Sequence, residues 1–446
     1  MKDTGIWRRR RTHGWLHILT VLVMLPVWFA AATPGAQAQE RAAQPAPVVV
    51  RAARMLDVTT GRILQNVTVL VMGDRIAGVN PTSTPAGAQV IDLGNVTLLP
   101  GFMDLHTHLG GEISATSFIE PVTLTNVDAA FKAVKNARTT IMAGFTTVRD
   151  FGGDVTVALG HAVERGDVVG PRVVPSRNAL GITGGHCDVT GFAPGVLEQG
   201  PQDGVADGPW EVVEAVRYQI KHGAQVIKTC ATAGVLSMEG PVGAQQYTLE
   251  ELQAMVNEAA RHGVKVAAHA HGTEGIKAAI RAGVASIEHG SMLDDEAITL
   301  MKQNGTYLVP TTYLADRIPL DVLPPLVRAK AESVLPLMRE SLRKAIAADV
   351  KIAFGTDAAV YPHGENAGEF AIYVRLGMSP LEALRTATIH AADLLGKDDR
   401  GVIASGKLAD LIAVPGDPLA DISVTENVVW VMQGGIVVKQ VGTGRT

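Results

Sequence analysis

Eight short apolar runs, each ending near a polar side chain and several separated by helix-like stretches, constrain the fold of this 446-residue chain more than any other feature. They cover residues 97–104, 146–150, 172–175, 225–229, 264–268, 286–288, 307–310 and 351–354. Apolar positions recur at helical spacing over 129–143, 249–262, 274–282 and 381–395, and a long helix with one charged face is expected over 324–348. Strand–helix alternation of this kind builds a parallel sheet, and eight repeats predict a (β/α)8 TIM-type barrel. An open doubly wound sheet would use the same alternation, but no glycine-rich phosphate loop follows the first run, and a count of eight favours closure.

The two ends of the chain read differently. Residues 48–53, 67–72 and 75–79 are strand-like and separated by Thr59-Thr60-Gly61 and Gly73-Asp74 turns, and 410–414, 428–432 and 436–439 repeat the pattern around Gly434-Gly435. A small β-sandwich domain built from both termini is expected, with its parts at 39–96 and 401–446 and the barrel at 97–400. Ahead of it, the basic run Arg8–Arg11, an apolar stretch over 15–32 and Ala36-Gln37-Ala38 have the order of a signal peptide over 1–38. An uncleaved anchor is the alternative, but His17 and Pro26 interrupt the apolar stretch and Ala-x-Ala follows it at the expected place. The expectation is a periplasmic or secreted protein with no stable membrane insertion after cleavage.

Cleavage removes five of 39 basic residues and one of 44 acidic ones, leaving 34 against 43 and a net charge of −9. Such a surface argues against nucleic acid or anionic membrane as partner and leaves a small-molecule substrate. Only Cys187 and Cys230 are present, so the core and not a disulfide framework must supply stability; sequence leaves open whether they pair.

In a barrel the chemistry gathers at the C-terminal ends of the strands. The first run leads into Leu105-His106-Thr107-His108, whose imidazoles, two residues apart, share one face of a strand and can grip one cation. Lys228 closes the fourth run, His269 and His271 follow the fifth, His289 the sixth and Asp357 the eighth. A His-x-His pair alone is a weak signal; ligand-type side chains recurring at five strand ends are a strong one.

Taken together, Pro100-Gly101-Phe102-x-Asp104-x-His106-x-His108, the later lysine, two further histidines and Gly355-Thr356-Asp357 resemble the amidohydrolase superfamily over essentially the whole mature chain. The resemblance implies two divalent metal ions, zinc by preference. His106, His108 and Asp357 would hold one and His269 and His289 the other, with Lys228, N-carboxylated, bridging them. A free ammonium cannot ligate a cation, so Lys228 serves only as a carbamate; the alternative is a buried lysine paired with a carboxylate. Asp357 would shuttle the proton from attacking water to leaving nitrogen.

The loop Thr183-Gly184-Gly185-His186-Cys187-Asp188 looks like one that presents a histidine to a free α-carboxylate in the Xaa-Pro dipeptidase-like branch, which makes His186 a substrate candidate. His271 would polarise the scissile carbonyl or orient a neighbour. His363 and Tyr313 are further substrate candidates. Arg149 and Asp150 would contact substrate or form salt bridges at the barrel mouth, the latter being the simpler reading, and His161, His222, His262 and His390 are ordinary helix residues. The export signal, the His-Thr-His-Leu-Gly start and the His-Ala-His-Gly strand resemble bacterial amidohydrolases that split ochratoxin A, itself an N-acyl phenylalanine, into ochratoxin alpha and phenylalanine. The expected activity is hydrolysis of N-acyl amino acids or dipeptides by a homo-oligomer. Two alternatives are a cyclic amide hydrolase of the imidazolonepropionase type, which would need one metal and no carbamate, and a noncatalytic binding protein that retains the fold.

Overall fold

The computed structural model describes residues 46–238 and 240–440, so the signal peptide expected over 1–38 lies outside the described residues. Five strands come first: β1 (Val48–Asp57), β2 (Arg62–Met72), β3 (Arg75–Val79), β4 (Gln89–Asp92) and β5 (Val96–Pro100). Seven follow through the middle of the chain: β6 (Phe102–Thr107), β7 (Phe145–Asp150), β8 (Arg172–Pro175), β9 (Ile227–Cys230), β10 (Val266–Ala270), β11 (Ser286–His289) and β12 (Tyr307–Val309). The C-terminal region adds β13 (Leu411–Pro415), β14 (Trp430–Gln433) and β15 (Ile436–Lys439).

The two termini do build one sheet, in the order β15-β14-β13-β5-β1-β2-β3 with β4 on β1. The expected sandwich is, in hydrogen-bonding terms, one continuous eight-stranded sheet. β1 turns into β2 where the Asp57 carboxylate accepts from the Thr59 and Thr60 amides and Gly61 takes φ +75°, a conformation glycine adopts without a Cβ penalty. β13 joins the halves by pairing antiparallel with β5.

The strand expected over 97–104 is two strands in two sheets. Gly101 is the break: its amide donates to the Asp410 carbonyl, and a Cβ there would lie 2.2 Å from Thr146 Oγ1. Both β5 and β6 are buried throughout, so an uninterrupted apolar pattern hides the change of sheet.

The middle strands are parallel and form two ladders, β6-β7-β8 and β9-β10-β11-β12. At one seam Leu180 bridges Thr229, at the other Ile352 bridges Leu308 and Ala358 bridges Thr107, all parallel. The eighth run, 351–354, is therefore no regular strand but an extended segment held by single bridges. Asp357 (φ +60°) and Ala359 (φ +128°) flank the last of these bridges, at Ala358, and leave the extended region. Near the starts of these strands Phe102, Phe145, Phe354 and Phe370 stack with ring centroids 4.5–5.6 Å apart and plug the interior.

The helices follow their sequence patterns where caps define them. Asn126–Met142 starts on a Thr125/Asp128 capping box and Leu249–Arg261 on a Thr248/Glu251 one, and Thr273–Ala282 and Pro325–Ala347 also form. The stretch expected as one helix over 381–395 is two, Pro380–Thr386 and Ile389–Leu395, because the Ala387 carbonyl accepts from the Met103 amide of β6 instead of continuing the helix. No helix among the described residues is long and apolar enough to cross a membrane.

Candidate metal centre

β6 places His106 and His108 two residues apart, and the turn after the eighth extended segment carries Asp357 back to meet both. Asp357 Oδ1 lies 3.3 Å from His106 Nε2 and 3.2 Å from His108 Nε2. Lys228 on β9 comes within 3.4 Å of His106 Nε2, and its Nζ sits 4.2 Å from the Phe151 ring centroid. From β10 and β11, the His269 and His289 rings are 4.7 Å apart, and the His106 ring is 4.9 Å from His289. All six residues expected as ligands thus surround one point at the C-terminal ends of the strands.

Two triads of donor atoms lie within 4.8 Å of one another: His106, His289 and Asp357, and His269, His271 and His289. His271, whose role the sequence left between carbonyl polariser and orienter, is therefore a member of the cluster, stacked on His289 at 4.9 Å.

The donor chemistry fits divalent cations. His269 Nε2 is buried with no hydrogen-bond partner, an arrangement a folded protein tolerates when something else satisfies the nitrogen. Burial, helped by the neighbouring positive groups, drives His269 and His289 well below the ordinary imidazole range and His271 to about 3, so all three are neutral and keep a lone pair. Burial pushes the Asp357 carboxyl up, but His106 and His108 outweigh it and hold it well below the usual carboxylate range. Burial pulls the Lys228 ammonium down to about 8 against the opposing pull of Glu288 and Asp357. His289 and Asp357 both adopt positive φ, 69° and 60°, a backbone cost of roughly 1–3 kcal/mol each that marks a functional site.

Of the groups that aim these side chains, the sequence singles out Arg149 but not Glu288, Ser286, Thr311 or Ser291. His106 Nδ1 bonds Glu288 Oε2 at 2.9 Å, and Glu288 Oε1 accepts from Arg149 Nη2 at 2.7 Å and from Ser286 Oγ. Arg149 also donates from Nε to the Leu105 carbonyl at 2.6 Å, so of its two expected roles it takes the salt bridge. His289 Nδ1 meets Thr311 Oγ1, and His271 Nδ1 meets Ser291 Oγ, each at 2.7 Å, which turns Nε2 of both rings toward the centre. Asp150 stays on the β7 side, accepting from Thr107 Oγ1 and the Leu109 amide. Glu288 and Ser291 lie one and two places from His289, which is their sequence signal; Ser286, Thr311 and Arg149 have no ligand that near.

A cavity of about 360 Å³ opens over the cluster. His186 lines it, its ring 4.3 Å from His269 and its Nδ1 2.7 Å from Ser237 Oγ. Cys187 and Cys230 also line it and form a disulfide. Much of the remaining lining is apolar, including Ile113, Leu236, Leu314, Leu335 and Met338, with Glu112, Ser117 and Glu120 among them. His363 and Tyr313 are not in this lining. His363 Nε2 turns to the Gly111 carbonyl at 3.3 Å, and Tyr313 packs edge-on against Tyr361 at 5.3 Å while its amide donates to Glu369. His222, His262 and His390 sit at helices away from the cavity.

Comparison with known proteins agrees with this geometry. Residues 97–438 match the profile described as the amidohydrolase family. The ochratoxinase of Aspergillus niger is 35% identical over 370 residues, covering 78% of this chain and 76% of that protein. Among solved structures, a Xaa-Pro dipeptidase with methionine bound in its active site superposes with a TM-score of 0.84 at 40% identity, over 88% of this chain and 100% of that one. A prolidase complexed with N-methylphosphonate-L-proline gives 0.82 at 36% identity over the same shares.

Proposed function

The chain belongs to the amidohydrolase family, in its dipeptidase-like, ochratoxinase-related part, and is a hydrolase of amide bonds; on that premise we propose that it uses two divalent ions, zinc by preference, to cleave N-acyl amino acids and dipeptides with a free carboxylate, ochratoxin A among them. The observation that carries this is that His106, His108, Lys228, His269, His289 and Asp357 all line one cavity, with Lys228 buried among them. The barrel is read as closed, its seams made by the single bridges.

His106, His108 and Asp357 would hold one ion and His269 and His289 the other. Lys228 would join them as an N-carboxylated side chain. An amine brought down to about 8 is partly unprotonated near neutral pH, so its nitrogen can form a bond to the carbon of carbon dioxide, releasing a proton and leaving an anionic oxygen donor. When bound, the ions supply Lewis acidity toward a carbonyl and acidify water. Asp357, ionised and beside the histidines, takes a proton from the attacking water and returns it to the departing nitrogen. His271, fixed by Ser291, presents Nε2 to the scissile carbonyl, and His186 faces the substrate carboxylate. The apolar part of the lining takes the hydrophobic end of the substrate.

Export after loss of residues 1–38 is part of the reading, supported by a disulfide of the kind that persists in oxidising compartments. So is a homo-oligomer, supported by Val127, Phe131 and Val134, exposed at helical spacing on one face of Asn126–Met142.

Metal analysis and a paired assay test the proposal. Two equivalents of metal, loss of activity on chelation, and a preference of about tenfold or more for N-acyl-phenylalanine over its carboxamide are expected. One equivalent with turnover of a cyclic amide only would replace it with the imidazolonepropionase-type reading.

A further inference from the structure

We propose that the Cys187–Cys230 disulfide is a positioning device of the active site: it fixes His186 relative to the strand that carries Lys228, so that grip on the substrate, and not the chemical step, depends on its oxidation. This rests on the reading of His186 as the carboxylate contact.

Noncovalent contacts also hold His186. Its ring meets Ser237 Oγ at 2.7 Å and its amide donates to Gln246 Oε1 at 3.1 Å. Both partners belong to residues 231–248, where the described residues form the single Thr232–Gln245 bridge and no longer strand or helix, and His186 itself lies within 176–207, which is equally irregular. The two irregular segments brace each other and are tied to the body of the fold: the Ala231 amide donates to the His269 carbonyl, Thr232 Oγ1 accepts from the His271 amide and the Ser237 carbonyl accepts from Lys330. Hydrogen bonds between loops open at lower free-energy cost than a packed strand does, so a covalent tie to a strand end adds to them.

Cys230 is different. It closes β9, is 2% exposed, and lies two residues beyond Lys228 on the same strand, so both side chains project from one face. Leu180 already runs beside that strand, its amide donating to the Lys228 carbonyl and its carbonyl accepting from the Cys230 amide, both at 2.8 Å. The disulfide then joins Cys187, the residue after His186, to the strand end, with Cα atoms 5.8 Å apart. Gly181 makes room for it, since a Cβ there would come within 2.7 Å of Cys187 Cβ. Gly234 does the same for the imidazole, where a Cβ would fall 2.2 Å from the ring. His186 is thus seated over a glycine and tied, one residue away, to the strand bearing Lys228. Cys187 is half-buried and lines the cavity, so a small reductant entering there meets the disulfide from that side.

The test uses the metal-loaded full-length mature enzyme with N-benzoyl-L-phenylalanine and its carboxamide, before and after tris(2-carboxyethyl)phosphine, with metal content checked throughout. The Cys187→Ser/Cys230→Ser variant is measured in parallel. Reduction and the double substitution are both expected to raise KM for the carboxylate about tenfold, as displacement of a positioned contact by a fraction of an ångström does. The expected kcat stays within twofold, and kcat/KM for the carboxamide is unchanged. Unchanged KM after verified reduction, or equal losses on both substrates, would overturn the proposal; if the variant fails to fold, the reduced wild-type protein decides alone. Should untreated enzyme fail to distinguish the two compounds, the carboxylate reading falls, and the positioning role is judged on KM of the better substrate.

Discussion

Replacing Glu288 by Gln removes the charge on which the metal centre's orientation rests, and the structure allows its effect to be worked out. Glu288 is fully buried and accepts at both oxygens, from Arg149 and Ser286 on one side and from His106 on the other. Burial pushes its carboxyl up, but Arg149 and His106 outweigh it and bring it to about 2. Measured from an ordinary glutamate near 4.3, that drop is roughly 3 kcal/mol at ~1.4 kcal/mol per unit. Breaking a buried pair from one side costs about 3–5 kcal/mol, in agreement. The amide also offers one acceptor where two are needed. If its oxygen faces Arg149, its NH2 faces His106 Nδ1 and forces the ring proton onto Nε2, the atom turned toward Asp357. If its oxygen faces His106, its NH2 meets the guanidinium donor to donor. Glu288→Gln should therefore lower unfolding free energy by about 3 kcal/mol in urea melts of the metal-free protein and weaken metal binding by about 10- to 100-fold in chelator competition. Adding Arg149→Met should restore part of the stability but not the metal affinity. A Glu288→Gln protein within 1 kcal/mol of wild type and binding metal equally would refute the reasoning.

Two further outcomes are expected. Asp357→Asn should reduce kcat by about 10²- to 10⁴-fold in steady-state assay while leaving the fold intact by circular dichroism, because the amide cannot carry the proton. Metal-free protein should lose stability as pH falls below about 6.5: His269, His271 and His289 are buried neutral with depressed pKa values, so the unfolded chain binds more protons there. Three such groups give a slope of up to roughly 4 kcal/mol per pH unit, and a flat profile between pH 7 and 5.5 in urea melts would contradict it.

Much of this molecule is legible in the chain because strand and helix periods are local. The runs at 146–150 and 172–175 became strands with ends shifted by at most one residue, and the helices with Thr caps formed where their patterns ran. The cluster was legible for the same reason: His106, Lys228, His269 and His289 each lie at or near the end of an apolar run, and parallel strands bring their C-terminal ends together. What stayed hidden depended on partners remote in sequence. Gly101 divides one apolar run between two sheets because Asp410 and Thr146 meet it there. The 381–395 helix breaks because a β6 amide captures its carbonyl.

Sequence by itself determined the alternation of elements and which side chains end the strands, since both follow from the nearest few residues. Only tertiary structure decided that Cys187 finds Cys230, that Arg149 and Glu288 brace His106, and that His363 bonds Gly111 and Tyr313 packs on Tyr361 outside the cavity lining. Each of those outcomes is a contact between segments tens to hundreds of residues apart, and hydrogen bonding and burial settle it only once the strands have brought those segments together.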